Sequence, residues 1–171
     1  AEVARLLKEK KVDLPYSLYV VNAVQEEIGL RGAEMMSRRI APDVAIVTDV
    51  THDTTTPMYN KKEQGETACG KGPSLTYGPA VQNNLLNMII KVAQDKKIDF
   101  QRAAASRSTG TDTDAFAYSA DGVPSALISL PLRYMHTTVE TVHHDDIQSV
   151  IKLIFESLLV IENGQDFRYF T

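Results

Sequence analysis

The chain has 171 residues, of which 43% are apolar and 23% charged, and its formal net charge is −4. This composition is that of a globular protein, which excludes collagen, coiled-coil and disordered classes, and the mild acidity argues against a nucleic-acid-binding face. Cys69 is the single cysteine, so a disulfide framework and a cysteine-rich zinc site are also excluded. No apolar run approaches the ~18 residues of a membrane span and no signal peptide is evident, so we expect a cytoplasmic protein that does not contact membranes.

The first part of the chain predicts two helices and two strands. Apolar residues at helical spacing indicate a helix over Glu2–Lys8. The aromatic and β-branched residues of Tyr16–Val24 predict a buried strand. A short helix over Ala33–Arg39 and a second strand over Asp43–Asp49 follow.

Residues 51–79 are rich in glycine and proline and predict an irregular stretch that serves function or contains small strands of its own. The later predicted elements are a helix over Val81–Val92, a strand over Ile98–Ala105, a helix over Asp112–Ser119, a strand over Val123–Leu130 and a helix over Ile147–Ile161. This alternation predicts an α/β fold, a layered α/β/α domain with a mainly parallel sheet. Ligands of such sheets bind beyond the carboxyl ends of the strands, which directs attention to the residues that follow each strand.

Two adjacent carboxylates, Glu26 and Glu27, close the first predicted strand. Neighbouring residues of an extended backbone point to opposite sides, so one carboxylate could bind a metal while the other faces substrate or water. Acidic pairs are also common in solvated turns, and the pair alone does not separate these two interpretations.

Asp49 ends the second predicted strand, and His52 and Asp53 follow it. An aspartate binds zinc or a hard cation, but aspartate and threonine in turns also bond their own backbone, and both interpretations stay open. We interpret His52 and Asp53 as residues that shape the loop.

His136 follows the fourth predicted strand, where an imidazole could bind zinc and Glu140 could hold its second nitrogen. His143 and His144 lie at the start of the last helix, where a cation is disfavoured, and we expect both at the surface.

Glu27, Asp49 and His136 each follow a different strand, so the predicted fold can bring them together. Such mixed oxygen and nitrogen donors suit Zn²⁺, Co²⁺ or Mn²⁺. Glu26 would then be available as a general base in metal-assisted hydrolysis. The sequence contains no Gly-x-Ser-x-Gly elbow and no Walker spacing, which argues against a serine hydrolase and a phosphate-binding loop.

Five segments in order resemble the TET-type dinuclear zinc aminopeptidases of clan MH, which include glutamyl, leucyl and deblocking aminopeptidases. The segments are Gln25-Glu26-Glu27-Ile28-Gly29, Thr48-Asp49-Val50-Thr51, Gly110-Thr111-Asp112, Gly122-Val123-Pro124 and Leu132-Arg133-Tyr134-Met135-His136-Thr137-Thr138-Val139-Glu140. The similarity runs over nearly the whole chain. It implies a zinc-peptidase-like fold and an enzyme that cleaves single residues from the N-termini of peptides.

The resemblance also implies site residues, position by position. Glu26 matches the family's general base, Glu27 and His136 match two ligands of one metal, and Asp49 matches a ligand of the other. The segment Gly110-Thr111-Asp112 matches a lining of the substrate pocket, and Arg133 lies in a neighbourhood that is general to the family. The implied cofactors are two divalent metal ions, zinc with cobalt or manganese as alternatives. The implied assembly is a homo-oligomer, often a dodecamer.

The chain departs from the family in two segments that supply metal ligands. Neither a His-x-Asp segment nor an Asp-Asn-Arg segment, both expected before the Glu26-Glu27 pair, occurs ahead of that pair, and a small inserted β domain is also absent. We therefore expect residues 1–171 to be the C-terminal portion of a single metallopeptidase catalytic domain, incomplete in fold and inactive alone. The alternatives are a noncatalytic α/β assembly module and, with weaker support, a glycoside hydrolase, because acidic pairs also carry out that chemistry.

Overall fold

A computed structural model describes residues 1–169 of the protein and contains all five predicted helices. The helices are α1 (Glu2–Glu9), α2 (Arg31–Ile40), α3 (Lys61–Gln64), α4 (Asn83–Asp95), α5 (Asp112–Ala117) and α6 (His144–Val160), with a 3-10 turn at Glu26–Ile28. The strands are β1 (Ala45–His52), β2 (Ser74–Tyr77), β3 (Gln101–Ala104), β4 (Ser125–Arg133) and β5 (Thr141–Val142). Within residues 1–169, no helix is long and apolar enough to cross a membrane.

The five strands form one sheet in the order β1-β4-β2-β3, with β5 paired to the end of β4. β1 pairs with β4 in parallel along its whole length, from Ala45 opposite Ser125 to His52 opposite Leu132. β2 and β3 are also parallel to each other, but β2 meets β4 in a short antiparallel contact. Most paired residues are therefore in parallel pairs, as predicted, while β2 and β3 run opposite to β1 and β4.

Helices cover both faces of the sheet, which confirms the layered α/β/α arrangement. On one face α4 and α6 bury a large apolar cluster against β2 and β4, with Leu85, Ile89 and Leu153 fully buried. This packing explains the helical spacing of apolar residues in both helices. On the other face, α2 and α5 pack a smaller cluster against the start of β1, made of Ala33, Ala45, Phe116 and Val123.

The predicted strand over Tyr16–Val24 is wrong. The segment is irregular, and Tyr19 and Val24 are each 65% exposed. Its ends are held in different places, because the Tyr16 hydroxyl donates to the Leu158 carbonyl while Ala23 packs with the α2–α5 cluster. β1 has no partner strand on its outer edge among residues 1–169, so the segment has strand composition without a ladder to join.

The stretch 51–79, predicted to be irregular, contains α3 and β2, and its later part is tightly packed. Gly72 has φ +82°, and a Cβ at this position would lie 1.9 Å from the Asp99 carbonyl oxygen. Only glycine fits there, because the left-handed conformation and the close backbone both exclude a side chain.

Candidate active site

Glu26 and Glu27 begin a 3-10 turn and do not continue an extended strand. Gln25 before the turn and Gly29 after it both have left-handed backbone, with φ of 61° and 112°. A left-handed residue other than glycine carries strain of order 1–3 kcal/mol, and such residues are frequent at functional sites. The turn leaves Glu26 half-buried and Glu27 exposed, so the two carboxylates have different surroundings, although not through strand alternation.

His136 contacts Glu27 from a distant part of the chain, with its Nε2 3.0 Å from Glu27 Oε1. The turn after β4 presents this ring, because both Tyr134 and His136 have left-handed backbone, with φ of 58° and 62°. The Glu140 carboxylate accepts the backbone N–H of His136 at 2.6 Å. Glu140 therefore orients the turn, and the prediction that it holds the second ring nitrogen is wrong.

Asp49 lies within β1, opposite Ser129 of β4, and β1 continues past it to His52. Burial raises the pKa of Asp49, a hydrogen bond from the Val50 N–H at 2.7 Å opposes that effect, and the charge of Glu27 adds to it. Asp49 is therefore an anion with few donors beside a second anion, a situation that a cation would stabilise.

Glu26 lies at the centre of this charge distribution. Burial raises its pKa, the charges of Asp49, Glu27 and Asp112 raise it further, and His136 opposes them. The structure thus gathers the predicted residues at one edge of the sheet, with Glu27 and His136 in contact and Asp49 coupled to Glu26 and Glu27 by charge.

The residues assigned to the substrate pocket have distinct local roles. Thr111 caps α5 by accepting the Thr113 N–H at 3.2 Å, and Gly110 precedes it with φ +65°. Helix α5 packs against β1, and burial and then the charge of Asp49 raise the pKa of Asp112. Arg133 lies over the Tyr134 ring at 5.2 Å, and its buried Nε has no hydrogen-bond partner among residues 1–169.

His52 and Asp53 are engaged in the loop that follows β1, as predicted. His52 Nδ1 lies 2.6 Å from the Tyr59 hydroxyl, and Asp53 accepts the backbone N–H groups of Thr55 and Cys69. Burial and then the charge of His136 lower the pKa of His52, so this ring is also near the site. That proximity was not predicted, because it arises from the β1–β4 register.

Asp146 has a structural role that sequence reasoning missed. It lies in the first turn of α6, is buried, and accepts the N–H groups of Gly70 and Gly72 at 2.7 and 2.8 Å. His143 and His144 beside it are exposed, as predicted. The helix start therefore fixes the glycine loop, a contact that spacing along the chain does not reveal.

Comparison with known proteins identifies the family. The family model for M42 glutamyl aminopeptidases matches residues 1–153. The chain belongs to this M42 family.

Relatives of the M42 chain include proteins of known structure. A lysyl aminopeptidase from Pyrococcus furiosus is 39% identical over 152 residues, which cover 89% of this chain and 42% of the relative. A TET aminopeptidase from the marine sediment archaeon Thaumarchaeota archaeon SCGC AB-539-E09 is 30% identical with a TM-score of 0.87, covering 94% of this chain and 45% of that one. A structure described as the dodecamer PhTET1-12s is 28% identical with a TM-score of 0.64, covering 78% of this chain and 39% of that one.

The chain spans less than half the length of these relatives. The donor types fit a divalent cation, because carboxylate oxygen and imidazole nitrogen suit zinc and its neighbours. Among residues 1–169, however, no three acidic, histidine or cysteine side chains are close enough to hold a metal together. A catalytic zinc site usually takes about three protein ligands. Glu27 and His136 by themselves therefore supply fewer donors than such a site takes.

Proposed function

We propose that residues 1–171 are the C-terminal portion of a single metallopeptidase catalytic domain, and that the whole protein is a metal-dependent aminopeptidase. The observation that carries the proposal is the 3.0 Å contact of Glu27 with His136 beside Glu26 and Asp49. M42 membership and the coverage of less than half of each relative support it. The substrates are peptides with a free N-terminus.

In this proposal the metal ligands are Glu27 and His136 for one divalent ion and Asp49 for the other, with zinc as the metal and cobalt or manganese as alternatives. A divalent ion bound there supplies Lewis acidity and makes an attacking water more acidic. The remaining donors come from the part of the protein outside these residues. The chain alone is then inactive, because it offers too few ligands.

Glu26 acts as the general base. Its carboxylate takes a proton from the attacking water and gives it to the leaving amine when the peptide bond breaks. The raised pKa of Glu26 suits this exchange, because a general base is most effective when its pKa lies closer to the working pH. Gly110, Thr111, Asp112 and Arg133 line the substrate pocket in the same proposal.

We propose that the whole protein is a homo-oligomer. The dodecameric relative supports this assembly. Large apolar side chains are also exposed on this chain, among them Tyr19, Val20, Ile28 and Met35. Large exposed apolar side chains are candidates for burial against other parts of the whole protein. The cytoplasmic location expected from the sequence stays a prediction.

The experiment compares site variants of the whole protein by hydrolysis of leucyl and glutamyl anilides and by metal titration. We expect Glu26→Gln to lower kcat by about 10²–10⁴-fold with little change in bound metal, because the amide cannot accept the proton. We expect Glu27→Ala and His136→Ala to weaken the binding of one and the same metal ion. We expect Asp49→Ala to weaken the binding of the other ion.

Exposed residues of the same types supply matched controls. Glu63→Ala and His144→Ala remove a carboxylate and an imidazole from exposed positions and should change neither quantity. Near-normal turnover by Glu26→Gln would remove Glu26 from this role, and retention of two tightly bound ions by all three ligand variants would contradict the assignment.

The two alternatives predict different results in the same assays. A noncatalytic assembly module would show no hydrolysis in the whole protein. A glycoside hydrolase would cleave cellulose and leave aminoacyl anilides intact. Adjacent Glu26 and Glu27 share one short turn and do not flank a space for a glycosidic bond, which favours the peptidase.

A further inference from the structure

The chain makes an exposed turn at Asn163 and Gly164, just after the end of α6. The Gln165 N–H donates to the Glu162 carbonyl at 3.2 Å and closes the turn. Gly164 holds the third position with φ +72°, a left-handed conformation that glycine adopts without a steric cost. Apart from its chain neighbours, no atom of residues 1–169 lies within 4 Å of the place that a Gly164 Cβ would occupy. The turn is therefore uncovered on its outer side.

The two central residues of this turn are a reactive pair. Neither the Asn163 side chain nor the Gly164 N–H makes a hydrogen bond to another of residues 1–169. The backbone nitrogen that follows an asparagine can attack the side-chain amide carbon, and a glycine there leaves the approach open and the backbone mobile. Asn60 is also exposed but differs on both counts, because its Oδ1 accepts the Lys62 N–H at 3.1 Å and a lysine follows it.

We propose that Asn163 is a site of spontaneous deamidation in the folded protein. The Gly164 nitrogen forms a bond to the Asn163 Cγ, and the bond from Cγ to the amide nitrogen breaks. The Gly164 proton leaves with that nitrogen as ammonia, and a cyclic succinimide remains. The reaction needs no oxidant or reductant and does not depend on the peptidase activity.

Water then opens the succinimide ring at one of two carbons. Addition at the Asn163 Cγ gives aspartate with the normal backbone. Addition at the Asn163 main-chain carbonyl carbon gives isoaspartate, in which the backbone runs through Cβ and Cγ. In sum, asparagine and water give a carboxylate product and ammonium. Isoaspartate lengthens the backbone of the turn by one carbon, so we expect it to break the hydrogen bond between Gln165 and Glu162.

The turn leads into a C-terminal tail that is anchored on α4. Phe167 is 3% exposed and packs in the large apolar cluster, and the Asn84 side chain donates to the Phe167 carbonyl at 3.1 Å. The Tyr169 hydroxyl accepts the Asn83 N–H at 3.0 Å and so satisfies an N–H of the first turn of α4. A longer backbone in the turn displaces this tail, and the Asn83 N–H then opens to water more often.

The test is storage of the folded whole protein at mildly alkaline pH, followed by acidic digestion and fragment-ion mass spectrometry. We expect Asn163 to gain the mass of deamidation and to yield both aspartate and isoaspartate, while Asn60 stays unmodified. Protein unfolded in urea should react at a comparable rate, because the folded turn already leaves the reacting atoms uncovered. Gly164→Ala should slow the reaction, because its methyl group hinders the attacking nitrogen.

Asn163→Gln is the matched control for the effect on the tail, because the longer side chain closes a ring far more slowly. We expect faster amide exchange at Asn83 in the isoaspartate form than in stored Asn163→Gln. Asn163→Asp carries the new charge on a normal backbone and should exchange at Asn83 as the unmodified protein does.

Conversion at Asn163 no greater than at Asn60, conversion confined to unfolded protein, or an unchanged rate in Gly164→Ala would overturn the modification site. Equal exchange at Asn83 in the isoaspartate form and in Asn163→Gln would overturn the loosening of the tail. Faster exchange in Asn163→Asp would assign the effect to charge and contradict the role of the longer backbone.

Discussion

Asp53 illustrates how a single buried carboxylate is stabilised in this chain. Its exposure is 2%, yet Oδ1 accepts the Thr55 N–H at 2.7 Å and Oδ2 accepts the Cys69 N–H at 3.0 Å. Burial alone would raise the pKa of Asp53, but the hydrogen bonds from Thr55 and Cys69 outweigh it and the pKa is lowered. Both carboxylate oxygens of Asp53 are therefore hydrogen-bonded.

We expect Asp53→Asn to lower the free energy of unfolding by about 1–3 kcal/mol at pH 7. The amide nitrogen is a donor, so it cannot accept the hydrogen bond from the backbone N–H that it would face. The folded pKa lies below the usual value of about 3.9, so the contribution of the carboxylate is complete above that pH and is lost as the pH falls through the folded pKa. The difference between the two proteins should therefore shrink in acid.

Urea unfolding at pH 7 and at pH values below about 4 measures both effects. Asp13→Asn is the control, because Asp13 is exposed and has no side-chain hydrogen bond within residues 1–169. A destabilisation by Asp53→Asn that is constant across this pH range would contradict the electrostatic explanation.

At the scale of elements, the sequence patterns predicted all five larger helices, three of them (α1, α4 and α6) from apolar spacing, but they also predicted one strand that does not form. The helices carry their own hydrogen bonds, so an apolar stripe and a suitable start are enough to locate them. A strand also needs a neighbour, and Tyr16–Val24 has none among residues 1–169. Its composition indicates potential for burial, whereas pairing depends on residues far away in the sequence.

We expect the backbone amides of residues 16–24 to exchange rapidly with solvent deuterium in the 171-residue chain. None of their N–H groups donates a hydrogen bond to another of residues 1–169, whereas β4 is paired on both sides. Local exchange reports such differences in opening free energy. Amide exchange followed by mass spectrometry or NMR should show slow exchange in β4 and fast exchange in the segment. Equal protection of both would mean that the segment is a strand, as its composition predicted.

At the scale of the whole molecule, the rule that ligands bind beyond strand ends correctly grouped Glu27 with His136, although Glu27 lies in a 3-10 turn and follows no strand among residues 1–169. Glu27 and His136 are separated by 109 positions and are in contact. The same rule did not predict that Asp49 lies inside β1, where it has no direct contact with Glu27 or His136. It also did not predict that Glu140 accepts the backbone N–H of His136, a contact that depends on the left-handed turn after β4. These features follow from register and backbone conformation.

The central claim is that this chain carries part of a metal site and that Glu27 and His136 are its nucleus. Calorimetric zinc titration of the purified 171-residue chain, with a leucyl-anilide assay of the titrated sample, tests it most directly. We predict weak zinc binding that Glu27→Ala removes, and no turnover, because the chain supplies fewer than the roughly three protein ligands of a catalytic zinc site. Tight binding of two zinc ions with turnover, or zinc binding that Glu27→Ala leaves unchanged, would contradict the claim.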